Sequence, residues 1–253
     1  MTYCVGLKLN KGLVFMSDTL TNAGIDNINT NKKMFYWTKK DERNIVLLTS
    51  GNLATSQACI NLINEAIENP NDDADSILKT KSMFQVARIV GKILRNISNE
   101  YASDGQAGEN PYSSTLILGG QIIDQKHRLF LIYPEGNFIE VTDENPFFQV
   151  GEIKYGKPIL LRAFDPKMDF SDGLKLMLSS VNSTIKANIS VGPPIDFQIY
   201  ETDSFHTGPT GRFHKDDPYL LEISNGWGRA LKVAFDTMPN LSLSLVKDKI
   251  KEK

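Results

Sequence analysis

The 253 residues are enough to bury a full core, as one large domain or two small ones. A hydrophobic fraction of 41% with 23% charged residues excludes a disordered or fibrous chain. A formal net charge of -2 excludes the basic surface that nucleic acid demands, which leaves peptides, small molecules or further copies of the chain as partners.

In chain order, the apolar spacing predicts strands over 2–9 and 12–17, with Asn10 and Gly12 of "NKG" forming a tight hairpin turn. Paired antiparallel, those strands bring Thr2 and Asp18 side by side at one end of the ribbon. "MFYWT" and "NIVLLTSG" predict the next two strands across the charged "KKDER". From Asn52 to about Glu68 the period becomes helical, with Asn52 as N-cap. Beyond the breaker "NPNDDAD", a longer helix is predicted from Ile77 to about Tyr101. "SDGQAGENPYS" reads as a loop, followed by strands at "STLILGG" and "RLFLIYP" and short ones near "FIEVT" and "FFQVG". A third helix is predicted from Ser171 to about Lys186. "IDFQIYE" and "YLLEIS" read as closing strands, Trp227 opens a helical pattern, and "KDKIKEK" reads as a solvated tail.

This order of strands, two helices, strands, helix and strands argues for α+β layers rather than a doubly wound α/β sheet. With no repeat or linker in view, a single domain over 1–253 is expected. The longest apolar runs are far too short to span a bilayer, and no leader pattern precedes the first strand, so a cytoplasmic protein is expected.

Cys4 and Cys59 lack any CxxC spacing and are expected as buried free thiols. His206 and His214 lie in a Gly/Pro-rich loop at a spacing that matches no ligand frame, so no metal is assigned. "GKP" at Gly156 lacks the glycines and Ser/Thr of a phosphate loop. Trp227 is expected in packing or in a subunit contact.

The chemistry concentrates at the front end. Removal of Met1 is expected because Thr2 is small, and it frees an α-amine beside the Thr2 hydroxyl. Such an amine, with an ordinary pKa near 7.7–8.0, can act as base for its own side chain. A neighbouring cation would hold that pKa down, and Lys32 or Lys33 can return to this end of the hairpin. Strand alternation places the two lysines on opposite faces, so one of them faces the site. A half-buried lysine needs a carboxylate, and Asp18 stands ready. Each residue alone has an ordinary reading as a strand entry or turn; together they form a catalytic pattern.

Thr2, Asp18, Gly24, Lys33 and "TSGNLATSQA" around Gly51 resemble the N-terminal core of proteasome β subunits, members of the N-terminal nucleophile hydrolases. More narrowly, "TYCVGLKL", "SDTLTNAGIDNI", "KKMF", "LLTSGNLATSQA", "FQVGEIKYGKPIL" and "SVGPPID" resemble the bacterial proteasome-related family called Anbu. The resemblance implies a four-layer αββα sandwich and a threonine peptidase or amidohydrolase without a cofactor. It implies Thr2 as nucleophile, Asp18 and Lys33 as its partners, and Gly51 as oxyanion donor. It also implies Asn22 and Gly24 as substrate-binding positions, a peptide or amide substrate, and a homo-oligomer in a ring or open ring-like assembly. Three departures from the proteasome pattern stand out. Leu20 replaces an arginine, Glu152 replaces a supporting serine, and only Asn188 and Ser190 stand near a later aspartate and serine. These departures leave open a self-assembling scaffold with a vestigial site, or a hydrolase of a small non-peptide amide.

Overall fold

The computed structural model describes residues 2–22, 28–69, 75–101 and 111–241. The chain starts with β1 (Tyr3–Leu9) and β2 (Gly12–Asp18), paired antiparallel from Cys4 opposite Ser17 to Leu9 opposite Gly12. A small ribbon of β3 (Leu20–Asn22) and β4 (Ile28–Thr30) follows, then β5 (Met34–Lys39) and β6 (Arg43–Gly51). Helices α1 (Leu53–Glu68) and α2 (Met83–Tyr101) precede β7 (Ser114–Ile122), β8 (Arg128–Ile132), β9 (Phe138–Glu140) and β10 (Phe147–Gly151). Helices α3 (Lys157–Ala163) and α4 (Phe170–Ala187), strands β11 (Ile195–Glu201) and β12 (Thr210–Phe213), and helix α5 (Pro218–Asp236) complete the described elements.

Two five-stranded sheets, ordered β10-β1-β2-β11-β12 and β5-β6-β7-β8-β9, stack face to face with helices on both outer faces. Alternation along each strand produces this layering. In β1, Val5, Leu7 and Leu9 pack toward α4 with Met177 and Val181, while Cys4 points into the seam between the sheets. In β6, Ile45 and Leu47 face α1 and α2, while Val46 and Leu48 face the seam. Small residues allow the sheets to close: a Cβ on Gly119 would fall 2.6 Å from the Phe15 ring.

The first hairpin, the β5–β6 hairpin and α1 stand where the sequence places them, and the Asn52 side chain accepts from the Thr55 N–H at 3.1 Å. Two expectations need correction, and three features of the fold were not expected. Residues 77–82 do not continue α2. Ile77 is buried, and the buried Arg43 guanidinium draws in the carbonyls of Ile77 (3.1 Å) and Thr80 (2.9 Å), so the helix starts only at Met83. "YLLEIS" is no strand; it opens α5, because Asp217 caps the N–H groups of Tyr219 and Leu220 and Pro218 fits the first turn. The closing edge strand is β12 instead, at Thr210–Phe213. Finally, α3 and the β3–β4 ribbon were not expected.

Parts of "NPNDDAD" and "SDGQAGENPYS", and all of "KDKIKEK", lie outside the described residues. Both cysteines are buried and free. No helix among the described residues is long and apolar enough to cross a membrane.

Candidate active site

The antiparallel register of β1 and β2 carries the start of one and the end of the other to a common edge. There the Tyr3 N–H donates to Asp18 Oδ1 at 2.8 Å. Tyr3 is held from behind as well, its fully buried hydroxyl donating to Ser180 Oγ on α4 at 2.8 Å. Residue 2 is gripped through its carbonyl, which accepts from the Glu152 N–H at 2.7 Å. Gly151 makes that grip possible: its φ is +86°, and a Cβ there would sit 1.9 Å from the Thr2 carbonyl oxygen.

Lys33 is the lysine that faces inward. Its Nζ donates to Asp18 Oδ1 at 2.7 Å and to the Leu20 carbonyl at 2.6 Å, with Lys33 only 6% exposed and Asp18 fully buried. Lys32 goes the other way, into solvent, with its ammonium over the rings of Phe35 and Tyr36. Burial pushes the Asp18 carboxyl above the usual carboxylate range; the Lys33 charge, its hydrogen bond and the Tyr3 N–H pull the other way. At 2.7 Å and out of water, the geometry is that of an ion pair. The second oxygen, Asp18 Oδ2, is buried with no hydrogen-bond partner among the described residues.

A cavity of 570 Å³ opens at this edge, and Thr2, Lys33, Gly51 and Gly151 all line it. Gly51 ends β6 with φ +114°, and a Cβ there would come within 2.5 Å of the Ser113 carbonyl oxygen. Thr2 is 7% exposed. Thus the residues just ahead of β1 and β5 meet the last residues of β6 and β10 at one hollow. Cys4, next in the strand, donates weakly to the Thr49 carbonyl at 3.5 Å; burial drives its thiol pKa up, so it offers no competing thiolate.

Among the remaining sequence candidates, Asn22 ends β3, and Gly24 lies outside the described residues. Glu152 is buried, and its carboxylate accepts from Asn188 Nδ2 at 2.8 Å and from the Lys154 N–H at 3.1 Å. Asn188 Oδ1 in turn accepts from the Ser190 N–H (3.0 Å) and Oγ (2.6 Å). The structure therefore joins Glu152, whose N–H grips Thr2, to Asn188 and Ser190 in one network. His206 stays apart, its Nδ1 on the Ser204 carbonyl at 2.7 Å. Sequence reasoning missed Thr21, Thr49 and Ser50, which line the same cavity, although "TSG" ahead of a helix cap was the available signal for the last two. A somewhat larger groove of 610 Å³ runs along α2 past Arg88, Lys92 and Arg95, but it holds none of the Thr2 cluster.

Residues 2–199 match the family model described as Proteasome subunit. "Proteasome subunit beta 2" of Pyrococcus furiosus is 25% identical over 191 residues, 76% of this chain and 82% of that protein. Among solved structures, Anbu (ancestral beta-subunit) from Yersinia bercovieri aligns with TM-score 0.88 and 39% identity over 95% of this chain and 99% of its own. Anbu from Hyphomicrobium sp. strain MC1 aligns with TM-score 0.87 and 44% identity over 95% and 100%. The structure described as a helical assembly of the Anbu complex from Pseudomonas aeruginosa aligns with TM-score 0.87 and 39% identity over 96% and 99%.

Proposed function

The chain belongs to the proteasome subunit family and, within it, to the Anbu proteins, and from that premise we propose that it is an N-terminal threonine peptidase or amidohydrolase. The observation that carries the reading is the buried Lys33–Asp18 pair, whose carboxylate also holds the Tyr3 N–H, at the edge of the cavity lined by Thr2.

In this reading Met1 is removed and the Thr2 α-amine becomes the base. Thr2 Oγ attacks the carbonyl carbon of a peptide or amide as its proton passes to the amine. The Lys33 ammonium holds the amine's pKa down so that it is neutral, and Asp18 fixes Lys33 in place. The carbonyl oxygen takes up the electron pair and is stabilised by the Gly51 N–H. The C–N bond then breaks, and the leaving amine departs with the proton held by the Thr2 nitrogen. An ester remains on Thr2. Water cleaves it, giving its proton to the amine and its hydroxyl to the acyl carbon, which releases the acid and restores the hydroxyl. Asn22 and Gly24 serve substrate binding. The reading extends to one domain over 1–253 and to a cytoplasmic homo-oligomer in a ring or open ring-like form, and the relative described as a helical assembly supports self-association.

A threonine-directed epoxyketone or β-lactone followed by intact-mass and peptide mass spectrometry tests the proposal. An adduct on Thr2 of a chain lacking Met1 is expected; a chain that keeps Met1 and takes up no label overturns it. A second reading, a self-assembling scaffold with a vestigial site, is favoured by Leu20 and Glu152 standing where an arginine and a serine are expected. A Thr2→Ala variant that retains the full cellular role, with no turnover by the wild type on a broad amide library, selects it.

A further inference from the structure

The cavity that Thr2 lines is walled by short polar side chains. Thr21 stands on β3, Thr49 and Ser50 on β6, and Asn52 and Ser56 at the head of α1; Leu53 is the one aliphatic side chain among the described lining residues. These polar groups are not equally occupied. Ser56 Oγ donates to the Asn52 carbonyl at 2.9 Å, and Asn52 Oδ1 caps the helix, so both are committed. Thr21 Oγ1 is sealed off from the cavity, without a hydrogen-bond partner among the described residues. The Thr49 and Ser50 side chains line the cavity, and their hydroxyls make no hydrogen bond within the described residues.

We infer that this cavity receives a short, neutral, hydrogen-bonding side chain, a hydroxyl or a carboxamide, on the acyl side of the bond that Thr2 attacks. The inference rests on the proposed function and adds the substrate class to it. An uncommitted buried hydroxyl is satisfied by a group that can both donate and accept, whereas an apolar side chain strands it. A site built from such groups discriminates far more sharply than an apolar pocket does. A cationic side chain finds no carboxylate among the described lining residues. The Lys33 charge is already matched by Asp18, which removes the attraction for an acidic one. No aromatic ring lines the cavity among the described residues to stack on a large flat side chain.

The test uses the full assembled protein and a set of peptidyl epoxyketones that differ only in the side chain next to the electrophile: carboxamide, hydroxyl, isobutyl, benzyl, guanidino and carboxylate. The rate of adduct formation at Thr2 is followed by intact mass, with an unsubstituted β-lactone as reference. Carboxamide or hydroxyl probes are expected to react about tenfold faster than the isobutyl probe, the consequence of one stranded hydroxyl. Thr49→Val, which keeps the shape and deletes the hydroxyl, is expected to shrink that ratio severalfold. An isobutyl, benzyl or charged probe that reacts fastest overturns the inference and leaves the nucleophile in place. Labelling by the β-lactone alone also overturns it, as does a ratio unmoved by Thr49→Val. Labelling by no reagent at all overturns the nucleophile, and the substrate class falls with it.

Discussion

Two buried polar clusters occupy opposite ends of the first hairpin, and a hollow of 570 Å³ adjoins each of them. At the turn end, His127 Nε2–H donates to the Leu9 carbonyl at 3.0 Å, which leaves Nδ1 to accept from Thr202 Oγ1 at 2.9 Å. Beside it Gln121 uses its whole capacity. Its Nε2 donates to the Gln125 carbonyl and to Asp203 Oδ1, both at 2.7 Å, and its Oε1 accepts from the Tyr200 hydroxyl and the Asp203 N–H, both at 2.8 Å. At the Thr2 end the cluster is charged, Asp18 Oδ2 and Thr21 Oγ1 have no partner among the described residues, and Thr49 and Ser50 line the hollow with uncommitted hydroxyls. Neither polarity nor cavity size separates the two ends. Spare hydrogen-bonding capacity beside the proposed nucleophile does: the satisfied network holds loops together, and the unsatisfied one would have capacity left for a substrate.

The largest effect that can break this contrast is expected from Lys33→Met. It leaves Asp18 buried without its cation, at a cost of about 3–5 kcal/mol, and should abolish Thr2 labelling. Urea unfolding and the adduct rate measure the two losses separately. The double variant Asp18→Asn with Lys33→Met should regain most of the stability and none of the labelling. If labelling survives, the Thr2 end is as structural as the other.

Gln121→Leu is the matching probe of the turn end. It strands the Tyr200 hydroxyl and the Asp203 N–H, at about 1–3 kcal/mol for each group. Burial pushes the Tyr200 hydroxyl up to about 12, so it stays a donor through neutral pH and cannot escape by ionising. The midpoint of urea unfolding should fall while the labelling rate of the surviving fold is unchanged. A drop in labelling at full folding would mean that the ends are coupled.

The smallest expected effect is a pH limb. Burial holds the His127 pKa below 6.5, and Lys8 acts in the same direction; the hydrogen bond to Leu9 and the Asp203 charge oppose. The folded state therefore binds this proton less readily than the unfolded state. The His127 contribution is complete above 6.5 and is lost as pH falls through the lower folded value. His127→Asn should flatten stability across that window. A limb of equal slope in the variant would assign it to carboxylates elsewhere.

The Thr2 cluster was legible because a short hairpin turn fixes register, and register fixes which ends meet. The alternation of "KKMF" left Lys32 and Lys33 as rivals, which the resemblance to Anbu decided for Lys33; burial against Asp18 is what separates them in the fold. Other features depend on contacts that no local pattern encodes. The late start of α2 follows from the reach of Arg43 across the chain to Ile77 and Thr80. The Glu152–Asn188 bond spans 36 positions. At "YLLEIS", β-prone side chains suggested a strand, yet Asp217 and Pro218 just ahead form a strong helix start and prevailed. The α3 helix, at seven residues, is too short for periodicity to register, although Pro158 in its first turn was a usable signal.

The grip on residue 2 has a practical corollary. Tyr3 is locked between Gly151 and Asp18 within a strand buried at every residue but Lys8, and Thr2 borders the hollow itself. Any sequence fused ahead of Thr2 must leave through that hollow, and under the proposed function it takes up the space of the substrate and acylates the amine that would serve as base. An affinity handle at the amino end would thus act as a built-in inhibitor, and material for assays is better made with a cleavable handle at the carboxyl end.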